Sequence, residues 1–401
     1  MNWKLLLILT VTALHAHLAL ANEQWQVAPF VGAISGGPDF GDAVQSGSAL
    51  HHLCGTEDGS LFLASGQRID RIDATGQRWP IAGDGFEGLI DGNANNARFR
   101  MGVSVFYKSH NLACAHNTQV FIGDTGNGRV RRLYKSGALW LVDTVAGGGT
   151  RQSATTGKTV SAESLNLGNL FSIASPGKQR LIIATRLGAW AVNPLEKTAS
   201  WLGFWPSSIT MPGKTQAQLQ PMMGDADRHG NSYFVSRTPD VVIKVDDKGK
   251  LHHFAGIVAS HPKPHHIGDG DPMAVYFDTP NSLTVEPGGS AVYVCGGDEY
   301  DIRRIPTTKG EETQTLMQNG RWGYSSLHPN KARGAAVFLP QAKGQLKPKG
   351  NLSVMMVSPL YGRDWEGNLY AGLVPWVGMS QFIAGKGLNK THTFKLYRAQ
   401  R

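Results

Sequence analysis

Short apolar runs alternate with Gly- and Asp-rich breaks along most of this chain, and the runs carry a two-residue period. The clearest unit spans Gln119 to Leu133: an apolar stretch Val120-Phe121-Ile122, a polar loop Asp124-Thr125-Gly126-Asn127-Gly128, and then Arg129-Val130-Arg131-Arg132-Leu133. Alternation of this kind predicts half-buried or buried strands, and the Gly/Asp clusters between them predict turns. The unit repeats: Val292 to Ile305 superposes on Val120 to Leu133 without a gap, and Ser232 to Val245 keeps the same length. Looser copies start at Ser60, Arg180 and Asn368. Taking Phe62, Phe121, Ile182, Tyr233, Tyr293 and Tyr370 as equivalent gives six copies about 60 residues apart, a period that belongs to propellers or solenoids.

A second strand recurs after each copy and runs into Ala-Gly, as in Trp79 to Gly83, Val142 to Gly147 and His252 to Gly256; a Gly/Asp-rich loop follows, such as Gly88 to Phe99. These segments resemble the NHL-repeat family, Asp124-Thr125-Gly126-Asn127 with Arg129-Val130-Arg131 matching its motif best. The resemblance implies an all-β, six-bladed β-propeller of four-stranded antiparallel blades. Blades are expected near residues 50–82, 110–146, 168–203, 221–256, 281–318 and 352–398. The last is completed by an N-terminal strand at 25–32 that ties the ring shut, removing an exposed edge. Within it, an inner strand is expected at Leu352 to Val357, a second at Leu369 to Ala371 and a third at Thr393 to Tyr397, with Gln381 to Ala384 as a competing assignment in the ladder.

The N-terminus sets the expected compartment. A charged start (Met1 to Lys4), apolar runs at Leu5 to Leu9 and Val11 to Leu14, and small residues in Ala19-Leu20-Ala21 form the pattern of a secretory signal. Residues 1–21 are read as that signal and 22–401 as one propeller domain, secreted or periplasmic, with no later apolar run of about 18 residues to cross a bilayer. The 49 glycines and 20 prolines suit many short strands joined by turns. A formal charge of +9 favours acidic partners, but the charges are scattered, so a solvated surface is the preferred reading. No aromatic-and-basic motif points to nucleic acid.

Candidate chemistry is sparse. The inner-strand positions expected to face a central channel are His52, Asn111, Ser172, Met223, Ser282 and Leu360, with Gly288-Gly289 expected to shift the fifth copy by about one position. Amidating lyases that share the six-bladed NHL fold hold zinc through histidines from separate blades. Here His52 falls at the ring with His51 and His110 nearby, yet no third blade supplies a histidine in register, so packing histidines are preferred. Lactonases of the gluconolactonase class use Glu, Asn and Asp; Asn111, Asp225 and Asp227 are candidates, Asp225 the best placed, but no inner Glu accompanies them. The His261 to Asp271 loop offers three histidines for a divalent metal such as zinc, and Asp269 and Asp271 for calcium. Its calcium pattern lacks the downstream Glu, so a capped turn is preferred. No Gly-x-Ser-x-Gly elbow is present, and a quinone-dependent dehydrogenase is a distant third because no cofactor motif appears.

Of three cysteines, Cys54 and Cys114 lie on neighbouring inner strands; a disulfide and two small buried residues are both open, with Cys295 left as a buried thiol. Trp205, Trp322 and Trp376 fall on expected loops, where a recognition surface and inter-blade packing compete. The leading expectation is a recognition module that presents inter-blade loops to a protein, glycan or cell-envelope partner. The rival is a metal-assisted lyase or lactonase at the channel mouth, with His52, Asn111 and Asp225 as its catalytic candidates.

Overall fold

The computed structural model describes residues 25–29, 50–73, 78–101, 111–115, 119–177, 179–258, 270–277, 279–296, 302–317, 355–375 and 392–398. The signal segment, Gln381 to Ala384, and the His261 to Asp269 part of the histidine loop lie outside them. Strand β1 (Trp25–Pro29) is followed by β2 (Leu50–Gly55), β3 (Leu61–Ser65), β4 (Arg68–Ile72) and β5 (Arg78–Ala82). Next come β6 (Gly92–Asn93), β7 (Asn111–Ala115), β8 (Gln119–Asp124), β9 (Arg129–Ser136) and β10 (Leu139–Gly147). The third repeat supplies β11 (Thr159–Ser161), β12 (Ser172–Gly177), β13 (Arg180–Ala184), β14 (Gly188–Asn193) and β15 (Thr198–Phe204). Then follow β16 (Pro221–Ala226), β17 (Ser232–Arg237), β18 (Asp240–Val245), β19 (Leu251–Ala255), β20 (Pro280–Val285), β21 (Ala291–Gly296), β22 (Ile302–Pro306) and β23 (Gln314–Met317). The last strands are β24 (Met355–Arg363), β25 (Leu369–Pro375) and β26 (His392–Arg398). Among the described residues no helix is long and apolar enough to cross a membrane.

The described strands form five sheets, not six separate blades. The first and last repeats share an eight-stranded sheet ordered β1-β26-β25-β24-β2-β3-β4-β5. They merge because β2 and β24 bridge in parallel at Leu53↔Gly362 and Cys54↔Arg363. Gly362 permits this approach: its φ is 142°, and a Cβ there would sit 1.9 Å from Leu53 O. Nor are all blades four-stranded. Short strands β6 and β11, from the incoming connections, add a fifth to the second and third sheets. In the last repeat the inner strand runs on to Arg363, beyond the expected Val357, and β26 is the strand that pairs with β25 (Leu369↔Leu396). Strand β1 pairs antiparallel with β26, Trp25↔Arg398 to Pro29↔Phe394.

The core follows from the two-residue period. Neighbouring residues on one strand point to opposite faces, and each face packs on a different sheet. Val120 and Ile122 join a buried cluster with Phe62, Ile69 and Phe99, whereas Phe121 between them packs with Ile173, Ile183 and Trp190. Leu181 and Ile183 share that second cluster, while Ile182 and Ala184 pack with Phe234 and Ile243. A strand buried on both faces reads as a continuous apolar run, which is why Leu181 to Ala184 lacks polar alternation. The innermost strands β2, β7, β12, β16, β20 and β24 contact one another in that order.

Candidate functional site

Register fixes which side chains of the innermost strands are equivalent. His52, Asn111, Ser172, Met223 and Ser282 each pair with the residue two beyond the marker of their repeat: Ala64, Gly123, Ala184, Val235 and Cys295. The fifth repeat is therefore in step with the others, because its extra glycines are absorbed in the turn at Gly289 (φ 72°). Leu360 pairs one residue beyond its marker, with Ala371, across a bulge.

These positions stitch one inner strand to the next. His52 Nδ1 accepts the backbone N–H of Leu112 at 2.6 Å, across 60 residues of sequence. The equivalent Met223 Sδ accepts the N–H of Leu283 at 3.4 Å, also across 60 residues. Two residues further on, Asp225 Oδ2 accepts Val285 N–H at 2.9 Å and the Thr284 hydroxyl at 2.8 Å. At the matching place in the first repeat, Cys54 is joined to Cys114 by a disulfide, with Cα atoms 5.6 Å apart. A disulfide and a carboxylate thus do the same positional job in two repeats. His52 is 2% exposed, and its Nδ1 is the acceptor for that N–H.

Asp225 is further committed to Arg363, whose Nε lies 2.9 Å from Asp225 Oδ2 and whose Nη2 reaches Oδ1 at 3.4 Å. The same guanidinium donates to Ala226 O and Asp364 O. One carboxylate therefore ties β16 to both β20 and β24. Asp227 is consumed in its own turn, where Oδ1 takes the N–H groups of His229 and Asn231 and Oδ2 takes the Asn231 amide. The Asp364 turn repeats this with Asn368 and adds the Tyr370 hydroxyl at 3.1 Å. Burial and the neighbouring Asp364 push that hydroxyl upward, so Tyr370 stays a donor. Glu286 holds the fifth-repeat turn through the hydroxyls of Ser290 and Tyr293.

His110 and Asp269 lie outside the described residues, as do the side chains of His51 and Asn111, whose backbones belong to β2 and β7. Asp271 is exposed, and its Oδ1 accepts the N–H of Met273 at 2.9 Å, the geometry of a capped turn. Among the described residues, no three His, Cys, Asp or Glu side chains come together to hold a metal ion. Trp205 is 4% exposed and donates Nε1–H to Thr185 O, so it packs between sheets and offers no recognition surface; Trp322 and Trp376 lie outside the described residues.

A cavity opens among these stitches, with about 40 Å³ of space for water centres, room for about three waters. Its walls are parts of the innermost strands and the turns after them, and the candidates His52, Asp225 and Asp227 are among the lining residues. Arg228, Arg363 and Trp365 also line it, none of them a candidate from sequence alone. The Asp-x-x-Gly-Asn pattern shared by Asp227 to Asn231 and Asp364 to Asn368 is the sequence signal that could have found their neighbourhood.

No family model and no curated protein matches the sequence. The fold is similar to solved structures. An auxiliary nutrient binding protein from Bacteroides thetaiotaomicron VPI-5482 superposes with a TM-score of 0.51 at 12% identity, over 94% of this chain and 78% of that one. Another from Bacteroides ovatus ATCC 8483 gives 0.50 at 10% identity, over 94% and 78%. A virginiamycin B lyase from Staphylococcus aureus gives 0.42 at 9% identity, over 94% and 99%, too distant to carry an argument. At these identities the likeness establishes an all-β propeller of antiparallel sheets and no ligand.

Proposed function

We propose that this chain is an exported propeller, with repeats of the NHL kind, that recognises a protein, glycan or cell-envelope partner through its inter-blade connections. The observation that carries this reading is the connection from Gly83 to Met101. It exposes Phe86 (67%), Leu89 (46%) and Ile90 (41%) beside Glu87, Asp91 and Arg100. Backbone hydrogen bonds Gly83 N–H to Ala94 O and Gly88 N–H to Phe99 O hold its shape, and Arg131 pins it through Asp91 and Ile90 O. Large apolar side chains held outward by a rigid frame cost little ordering entropy on binding.

Three further points support the proposal. His52 and Asp225, the catalytic candidates nearest the channel, are already committed to stitching. The Cys54–Cys114 disulfide suits an oxidising compartment and agrees with the signal-like N-terminus. Two proteins of the same fold are named for auxiliary nutrient binding. Pairing of β1 with β26, strands from the two ends of the chain, supports a ring closed by the N-terminal strand.

Capture of partners from a cell-envelope extract, by wild type and by a Phe86→Ser/Leu89→Ser/Ile90→Ser variant, tests the reading. Wild type should retain a partner that the variant loses at unchanged Tm. Stoichiometric metal in protein purified without chelator, lost in His52→Ala or Asp225→Ala, would instead establish the metal-assisted enzyme.

A further inference from the structure

Four charged side chains among the described residues line the cavity: the carboxylates of Asp225 and Asp227 and the guanidiniums of Arg228 and Arg363. Arg363 is neutralised by Asp225, and Asp227, at 3% exposure, spends both oxygens on N–H donors of its own turn. Arg228 is exposed and, among the described residues, has only neutral partners. Its Cζ lies 4.3 Å from the Trp365 ring centroid, and Nη2 donates to Trp365 O at 2.8 Å. Its backbone N–H donates to Pro287 O. No described carboxylate pairs with it.

The guanidinium is thereby stacked on an indole and held by one carbonyl, with its other N–H groups lacking a protein acceptor among the described residues. Stacking fixes the plane of the donors while leaving the charge intact. A planar, positioned guanidinium is matched by a carboxylate, which accepts two parallel N–H bonds. Space decides how much of the ligand enters. Room for about three waters admits a carboxylate and an adjoining atom or two, so the rest of the molecule stays at the mouth.

We infer that this cavity is a binding site for the carboxylate of a small organic acid, read by Arg228 on its Trp365 platform. The site is separate from the apolar connection proposed above. Such a group comes from an acidic sugar or from the C-terminus of a short peptide, and paired probes distinguish the two. Calorimetric titration of the whole mature chain would use galacturonate against galactose, and acetyl-Ala-Ala against its amide. One acid should bind at least about 10-fold tighter than its neutral counterpart, and Arg228→Gln should weaken it about 10- to 100-fold, with Arg228→Lys in between. Partner capture through Phe86, Leu89 and Ile90 should be unchanged in Arg228→Gln, so the two proposals fail separately. Equal binding of acid and neutral counterpart, unaltered affinity in Arg228→Gln, or no binding of either acid at millimolar concentration would overturn the inference.

Discussion

His253 illustrates what a single buried side chain contributes. It lies in β19 with Nε2 2.8 Å from Gly256 O, and burial pulls its imidazole below the usual histidine range despite that hydrogen bond. A depressed folded value means that the unfolded chain takes up the proton first as pH falls. The stabilisation is complete above the unfolded value of about 6.5 and is lost as pH drops through the lowered folded value. His253→Gln keeps a donor for Gly256 O and removes the titration. Between pH 7.5 and 5 its Tm should fall less than that of wild type; equal slopes would show that His253 does not contribute. His52 is a different case. Its place on an inner strand was readable from the repeat, but its role as an acceptor for Leu112 N–H was not, because that bond joins residues 60 apart.

At the scale of elements, Arg131 links a strand to a connection. It is wholly buried in β9, donates to Asp124 Oδ2 at 2.9 Å, and reaches Asp91 and Ile90 O on the connection from Gly83 to Met101. Asp124 is itself fully buried, and burial raises its carboxyl above the ordinary range even with Arg131, Asn127 and Arg100 N–H as partners. Arg131→Met removes the counter-charge and should cost about 3–5 kcal/mol in chemical denaturation. The exposed Phe86 to Ile90 segment should become protease-sensitive at the same time. A variant as stable and as resistant as wild type would mean the connection is held by its backbone ladder alone. The motif Asp124-Thr125-Gly126-Asn127 was legible as a repeat signature. Its physical task, gathering Arg131, Arg100 N–H and Asn127 around one carboxylate, appears only when the connection folds back over β9.

For the whole molecule, the stitches between innermost strands are long-range constraints added to apolar packing. The Cys54–Cys114 bond closes a 60-residue separation between the first and second repeats. Removing it in Cys54→Ser/Cys114→Ser should lower stability by about 2–4 kcal/mol. Wild type unfolded with a reductant should reproduce the loss, and no change in either experiment would show that the seam is held by packing and His52. The sequence by itself determined the strand class, the repeat and its period, while the partner of the N-terminal strand stayed open between two segments until the structure paired it with β26. The strand class and the repeat are local, being written in a two-residue alternation and in Gly/Asp punctuation that a short window contains. Tertiary structure alone decided that the first and last repeats share a sheet, that Asp225 is bound to Arg363 138 residues away, and that Arg228 is left over on Trp365. Such contacts depend on how separate turns meet at one end of the innermost strands, where Gly362 lets β24 approach β2, and no spacing along the chain records that distance.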